Sequence, residues 1–284
     1  MLERLKYSGT MNKLSKEKQV QIINALVEGN SLRATARMCD VAFNTVLKLL
    51  PQIGKACAEY QDRAFRNLPC KRIQCDEIWS FVYAKAKNVP EEKQSSEAGD
   101  VWTWVALDAD TKLVPCWLVG KRDAGYAFQF MSDLASRLTS RVQLTTDGHK
   151  PYLTAVEDVF GIDIDYAQLV KIYGTEQEPS EARYSPPKCL GARPTTITGN
   201  PDPKHISTSY IERQNLTIRM MNRRFTRLTN AFSKKIENHR YSLALHYMHY
   251  NFCRIHKSLR VTPAMEAGVS NHVWSIEEIA DLLN

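Results

Sequence analysis

Residues 72–85, RIQCDEIWSFVYAK, set two adjacent carboxylates into a run of β-branched and aromatic residues. Such a run reads as a strand. Strand alternation puts Gln74, Asp76, Ile78 and Ser80 on one face and Cys75, Glu77, Trp79 and Phe81 on the other. Asp76 and Glu77 then point opposite ways, so only one of them is expected to enter a given site. A carboxylate flanked by Ile73, Ile78, Trp79 and Phe81 is costly to bury on a central strand unless something cationic binds it. The chain therefore has to build a sheet with a polar, cation-binding place at this strand.

The following sequence supplies the sheet. VWTWVALDA (101–109) and LVPCWLVG (113–120) read as two more strands joined by the turn DADTK. Residues 123–138 are helical, RVQLTTDG (141–148) is a fourth strand, 152–160 a second helix, and DYAQLVKIY (165–173) a fifth strand. Three strands, helix, strand, helix, strand is an α/β order. Residues 174–207 hold six prolines without apolar periodicity and are expected to form a long loop. A loop of that length inside a compact domain either carries function or counts against the assignment. Helix resumes near Thr208 and again over 237–250.

Ahead of the first strand the rhythm is different. A helix is expected over 15–28, and Ser31 caps a short one over 32–39. A third runs from Ala42 to Leu50, where Pro51 is expected to stop it. In that helix Phe43, Val46, Leu47 and Leu50 form a stripe, which leaves Asn44, Thr45 and Lys48 facing out. Short helix, tight turn and short helix with a polar outer face is the helix-turn-helix arrangement, whose last helix fits a DNA major groove. A plain three-helix bundle is the structural alternative. The expected division is residues 1–51 as a DNA-binding domain, 52–72 as a basic helical connector, 73–250 as a catalytic domain, and 251–284 as a C-terminal extension.

Composition narrows the function. The formal charge of +7 makes a polyanionic partner plausible. No apolar run reaches the eighteen or so residues of a membrane span, and the first residues carry no signal-peptide core, so a cytoplasmic protein is expected. Seven cysteines without a C-x-x-C pair fit reduced thiols, Cys70 and Cys75 among them as core or linker groups. His246 and His249 lack the partners of a zinc site.

Asp147 ends the fourth strand just before Gly148, at the carboxyl end where α/β sheets bind ligands. Glu212 is the one acid in TSYIERQNLTIRMMNRR (208–224). Helical spacing puts Ile211, Ile218, Met221 and Phe225 on a sheet-facing stripe, with Glu212 and Arg219 along its edge. Hard oxygen ligands from Asp76, Asp147 and Glu212 suit magnesium or manganese, and two such ions serve in-line phosphodiester displacement. Each acid also has a structural reading: Asp147 as a turn residue, Glu212 as compensation for a helix N-terminus. Asp100, Asp108, Asp110, Asp123 and Asp163 are rivals that spacing does not exclude. Arg254, His256 and Lys257, after the last long helix, are either backbone contacts for DNA or part of a packing motif.

CDEIWSFV, TTDG, YIERQNLTIRMMNRRFTRLTNAFSKKIENH and YNFCRIHKSLRVTPAMEAG together resemble the DDE transposases of bacterial insertion sequences, most closely the IS-one branch. The resemblance implies a ribonuclease H-like α/β catalytic core behind the helix-turn-helix, with Asp76, Asp147 and Glu212 as metal-binding catalytic residues. Arg219 would be the basic residue two turns after the glutamate, and Arg223 would join it on DNA. The family further implies Mg2+ or Mn2+, two ions, double-stranded DNA as element ends and target, and a homodimer or larger assembly on that DNA. Family members often begin with a zinc-binding finger, and no suitable cysteine set precedes the helix-turn-helix here. Two other classes remain in view: a catalytically silent DNA-binding regulator, and a nuclease of the same fold without strand transfer.

Overall fold

The computed structural model describes residues 14–93, 97–174, 189–226 and 230–283. Its centre is a mixed six-stranded sheet in the order β3-β2-β1-β4-β5-β6. The strands are β1 (Arg72–Val82), β2 (Gly99–Asp108), β3 (Trp117–Gly120), β4 (Gln143–Thr146), β5 (Asp165–Tyr173) and β6 (Cys189–Thr198). The first three are antiparallel neighbours, whereas β4 runs parallel to β1 and β5 parallel to β4. Parallel neighbours need a crossover. Helix α4 (Ala124–Arg137) and helix α5 (Pro151–Phe160) provide the connections to β4 and β5.

Register decides where the site lies. β1 pairs with β2 along almost its whole length, from Ile73 opposite Asp108 to Val82 opposite Gly99. β4 is short and covers β1 only from Arg72 to Cys75. From Asp76 to Phe81 β1 pairs with no strand on that side among the described residues, and only Val82 meets Ser233 there in a single parallel bridge, so an open corner begins at the two acids.

Around β1 and β2 both faces of the sheet are covered. On one, Ile73, Cys75, Trp104, Leu144 and Tyr166 pack with Phe130 and Leu134 of α4 and Tyr152 and Val156 of α5. On the other, Ile78, Val105 and Leu107 pack with Ile211 and Ile218 of α6 (Ser209–Met221) and Leu243 and Tyr247 of α7 (Ile236–Met248).

Three helices precede the sheet: α1 (Lys16–Val27), α2 (Leu32–Met38) and α3 (Phe43–Ala64). Ser15 and Ser31 cap the first two through their side chains. Pro51 does not stop the third helix, which continues thirteen residues beyond it to Ala64. An interior proline costs about 3 kcal/mol through a lost hydrogen bond and ring clash. Ile53 and Cys57, both fully buried beyond the proline, offset that cost at roughly 1.5–3 kcal/mol for a side chain of this kind. They join the same core as Ile73 and Trp104. Gly54 sits so close to α7 that a Cβ there would lie 2.5 Å from the Tyr241 carbonyl oxygen. Most of the expected connector is thus α3 itself, a helix that crosses the expected boundary at residue 51.

The expected loop over 174–207 is also different in part. Residues 189–198 form the edge strand β6, paired antiparallel with β5, while 175–188 lie outside the described residues. Nearly all of β6 is exposed, so no buried face selects an alternating pattern, and Pro194 is compatible with an edge position. At the C-terminal end, α7 passes through a short π-helical turn (His249–Cys253), followed by α8 (Pro263–Glu266) and α9 (Ile276–Asp281). No helix of the described residues is long and apolar enough to cross a membrane.

Candidate active site

At the open corner lies a cavity of about 680 Å³ lined by, among others, Asp76, Arg122, Asp147, Lys171, Thr208 and Glu212. Asp76 comes from β1, Asp147 from the residue after β4, Lys171 from β5 and Glu212 from the first turn of α6. All three acids expected from the sequence therefore face one space.

Gln74 sets α6 against β1. It shares the β1 face of Asp76, and its Oε1 accepts the backbone N–H groups of Tyr210 (3.0 Å) and Ile211 (3.1 Å). Those N–H groups belong to the first turn of α6, where no intrahelical partner exists. Thr208, the N-cap, instead turns its hydroxyl to donate to Glu212 Oε1. Farther along the helix, Asn215 Nδ2 donates to Asp76 Oδ2 at 2.9 Å. One strand and one helix thus hold Asp76 and Glu212 by three side chains that the acid pattern alone does not reveal. The signal for Gln74 was present, since an amide two residues before Asp76 on the same face had to find a buried partner.

Asp76 lines the cavity and Glu77 does not, as their opposite faces lead one to expect, yet Glu77 stands close behind the site's acids. Oxygen atoms of Asp76, Glu77 and Asp147 all lie within 4.8 Å of one another. The two β1 side chains do leave by opposite faces, but Asp147 stands beyond the end of β4, at the edge both can reach. Glu77 is buried on the α4–α5 side, where its Oε2 accepts from Arg122 Nε at 2.9 Å. Arg122 also reaches Asp147 Oδ2 at 3.5 Å and lies over the Trp102 ring. The buried Glu77 carboxylate also meets the buried Tyr152 hydroxyl of α5.

Crowding and burial set the electrostatics. Burial, reinforced by Asp147, pushes the Asp76 carboxyl up to about 6 and that of Glu77 up to about 7. Glu212 lies outside the tight trio and pairs with Lys171 at 2.7 Å. Asp147 also fills its turn role, since its Oδ1 accepts the His149 N–H at 2.9 Å. Burial and the Arg122 charge lower the His149 imidazole.

Several rivals have structural partners instead. Asp123 caps α4, Asp110 pairs with Arg72, Asp108 accepts from Thr111, and Asp100 accepts the Ala86 N–H. Asp163 is exposed after α5. Arg219 is two turns beyond Glu212 and does not line the cavity. Arg223, Arg254, Lys257, Asn44 and Lys48 are exposed, and Thr45 is half-buried. None of these six lines the cavity either. The segment after α7 is anchored by Asn251, which bonds both backbone groups of Val114, and by buried Phe252. His256 donates its backbone N–H to Val261.

The donor set fits a hard divalent cation. Three carboxylates meet within ligand range, and two of them are driven toward neutrality by burial first and by the neighbouring Asp147 charge second. Magnesium or manganese would offset both conditions.

No family model and no curated protein matches the chain. Among solved structures it is similar to a piggyBac transposase synaptic complex with hairpin DNA, at 9% identity and TM-score 0.46, over 99% of this chain and 73% of that one. It is also similar to a Mos1 mariner paired-end complex with Mn, at 11% identity and TM-score 0.27, over 87% and 79% of the two chains. A third is the Mos1 strand transfer complex, at 12% identity and TM-score 0.24, over 83% and 76%. At such scores the likeness decides nothing, and the site's own residues carry the functional reading.

Proposed function

We propose that this chain is a DDE-type DNA transposase of the bacterial insertion-sequence kind, with a ribonuclease H-like catalytic core. The observation that carries this is the convergence of Asp76, Asp147 and Glu212, from three separate elements, on one cavity that also holds Arg122 and Lys171. Asp76 and Asp147, with Glu77 beside them and Glu212 across the cavity, would hold Mg2+ or Mn2+, two ions in the full complex. The metal supplies Lewis-acid stabilisation of the attacking and leaving oxygens.

The reaction is two displacements at phosphorus. Water attacks a phosphodiester at an element end and loses a proton, and the 3′-oxygen leaves and gains one, so a 3′-hydroxyl and a 5′-phosphate result. The 3′-hydroxyl then attacks a target phosphodiester, joining the strands and releasing a target 3′-hydroxyl. Arg122 and Lys171 balance the carboxylates before DNA enters and offer charge to phosphate oxygens afterwards.

Residues 1–51 are the proposed reader of element ends, with Asn44, Thr45 and Lys48 on the helix that enters the groove. Arg219, Arg223, Arg254 and Lys257 are proposed backbone contacts, and a dimer or larger assembly would pair two ends. Labelled duplexes carrying the sequences that flank the coding region test the reading, with Mg2+, Mn2+ or chelator. Metal-dependent ends bearing 3′-hydroxyls, followed by joined products, support it. Binding without cleavage favours the silent regulator, and cleavage without joining favours a nuclease.

A further inference from the structure

A second cavity, of about 650 Å³, opens between the N-terminal helices and the chain that follows α6. Arg33, Arg223, Arg224, Lys234 and Lys235 line it, and no carboxylate is among its described lining residues. Five cations facing one space without an acid repel one another unless an anion enters. Arg224 makes the point most sharply. Its guanidinium donates to the hydroxyls of Ser233 (2.6 Å) and Ser242 (2.9 Å) and to no carboxylate. Burial pulls it down to about 10. Lys234 and Lys235 are exposed at the rim, and Arg33 lies over the Phe43 ring on the α3 side.

We infer that this groove holds a stretch of DNA backbone, gripping consecutive phosphates from both walls at once. Its lining couples α2 and α3 on one side with the chain between α6 and α7 on the other, beginning at Arg223 two residues past the end of α6. From Glu212 to Met221 the helix advances nine residues, about 14 Å at 1.5 Å per residue. That spans roughly four base pairs at 3.4 Å per step. DNA laid along α6 would therefore reach the groove about four base pairs from a phosphate beside Glu212. The register relative to the cut rests on the proposed function; the affinity of the groove for DNA does not.

The test is the salt dependence of binding to a random-sequence 30-base-pair DNA, read by fluorescence anisotropy. Wild type is compared with Arg33→Gln/Lys234→Ala/Lys235→Ala, and with the charge-conserving Lys234→Arg/Lys235→Arg. Each lost phosphate contact should flatten the plot of log K against log salt by about 0.9. The triple variant should thus lose about two to three units of slope and bind at least about tenfold more weakly in low salt. The arginine pair should keep the wild-type slope, and circular dichroism should show all variants folded. An unchanged slope in the triple variant overturns the groove. So does tighter binding of an RNA duplex of equal length that the same changes abolish, because the occupant would then be RNA. If wild type cleaves end DNA while the triple variant keeps its slope, the groove alone fails. If the slope flattens but no metal supports cleavage, the groove stands and the transposase reading fails.

Discussion

Replacing Gln74 by Leu keeps the side chain's bulk but removes the acceptor for two first-turn amides of α6. The two losses are unequal. Tyr210 is exposed and its N–H recovers water, whereas Ile211 is fully buried and its N–H does not. A buried polar group left without a partner costs about 1–3 kcal/mol, so about 2 kcal/mol is expected, nearly all from Ile211. The loss should appear locally, as fraying of the turn that carries Glu212. Amide hydrogen exchange reads it directly: at 1.4 kcal/mol per tenfold, the Ile211 amide should exchange about thirtyfold faster. Gln74→Glu keeps an acceptor and should keep most of the protection. If Gln74→Leu leaves exchange at 210–212 within about threefold of wild type, Gln74 does not hold α6 in place. The proposed link from β1 to Glu212 would then be wrong.

Asp76→Asn, Asp147→Asn and Glu212→Gln should each abolish cleavage and joining while leaving duplex binding within about threefold by anisotropy; normal cleavage by any one removes that residue from the reaction. Arg122→Met leaves the buried Glu77 without its cation and should cost about 2 kcal/mol in urea unfolding, discounted from a fully buried pair because Arg122 is a third exposed. Glu77→Gln in the same chain should recover most of it. Gly54→Ala reverses the usual helix preference: Ala gains about 1 kcal/mol of propensity, yet its methyl would overlap the Tyr241 carbonyl, so a net loss in unfolding free energy is expected. Asp76 and Glu77 carry folded-state values above their unfolded ones, so the folded chain binds more protons between about pH 4 and 7 and their contribution to stability falls as pH rises through that window. Without metal, Asp76→Asn/Glu77→Gln should flatten the decline of Tm over that range, and Mn2+ should raise the wild-type Tm more at pH 8 than at pH 5.

The alternating and apolar patterns made most of the sheet legible. DYAQLVKIY is β5 residue for residue, and the strand containing Asp76 is central, as its flanking apolar residues required. What escaped the sequence depended on neighbours distant in the chain. Pro51 is a helix breaker by local rules, but Ile53 and Cys57 find burial beyond it. β6 carries no pattern because it has no buried face. Glu77 was set aside because strand geometry sends it opposite to Asp76. The short reach of β4, which brings Asp147 to both acids, is a property of pairing rather than of composition.

The continuity of α3 bears on how reading and cutting would be kept in step. Asn44 and Ala64 lie on the same helix, twenty residues and about 30 Å apart, with no break between them. An element end gripped at Asn44 would then be measured against the carboxylates by a ruler of fixed length and fixed phase. Removing one residue from α3 near Lys48, between buried Val46 and Leu49, would shorten that ruler by about 1.5 Å and rotate the reading face by about 100°. In a chain that still folds by circular dichroism, such a deletion should move or silence the cut. A flexible tether would have absorbed it.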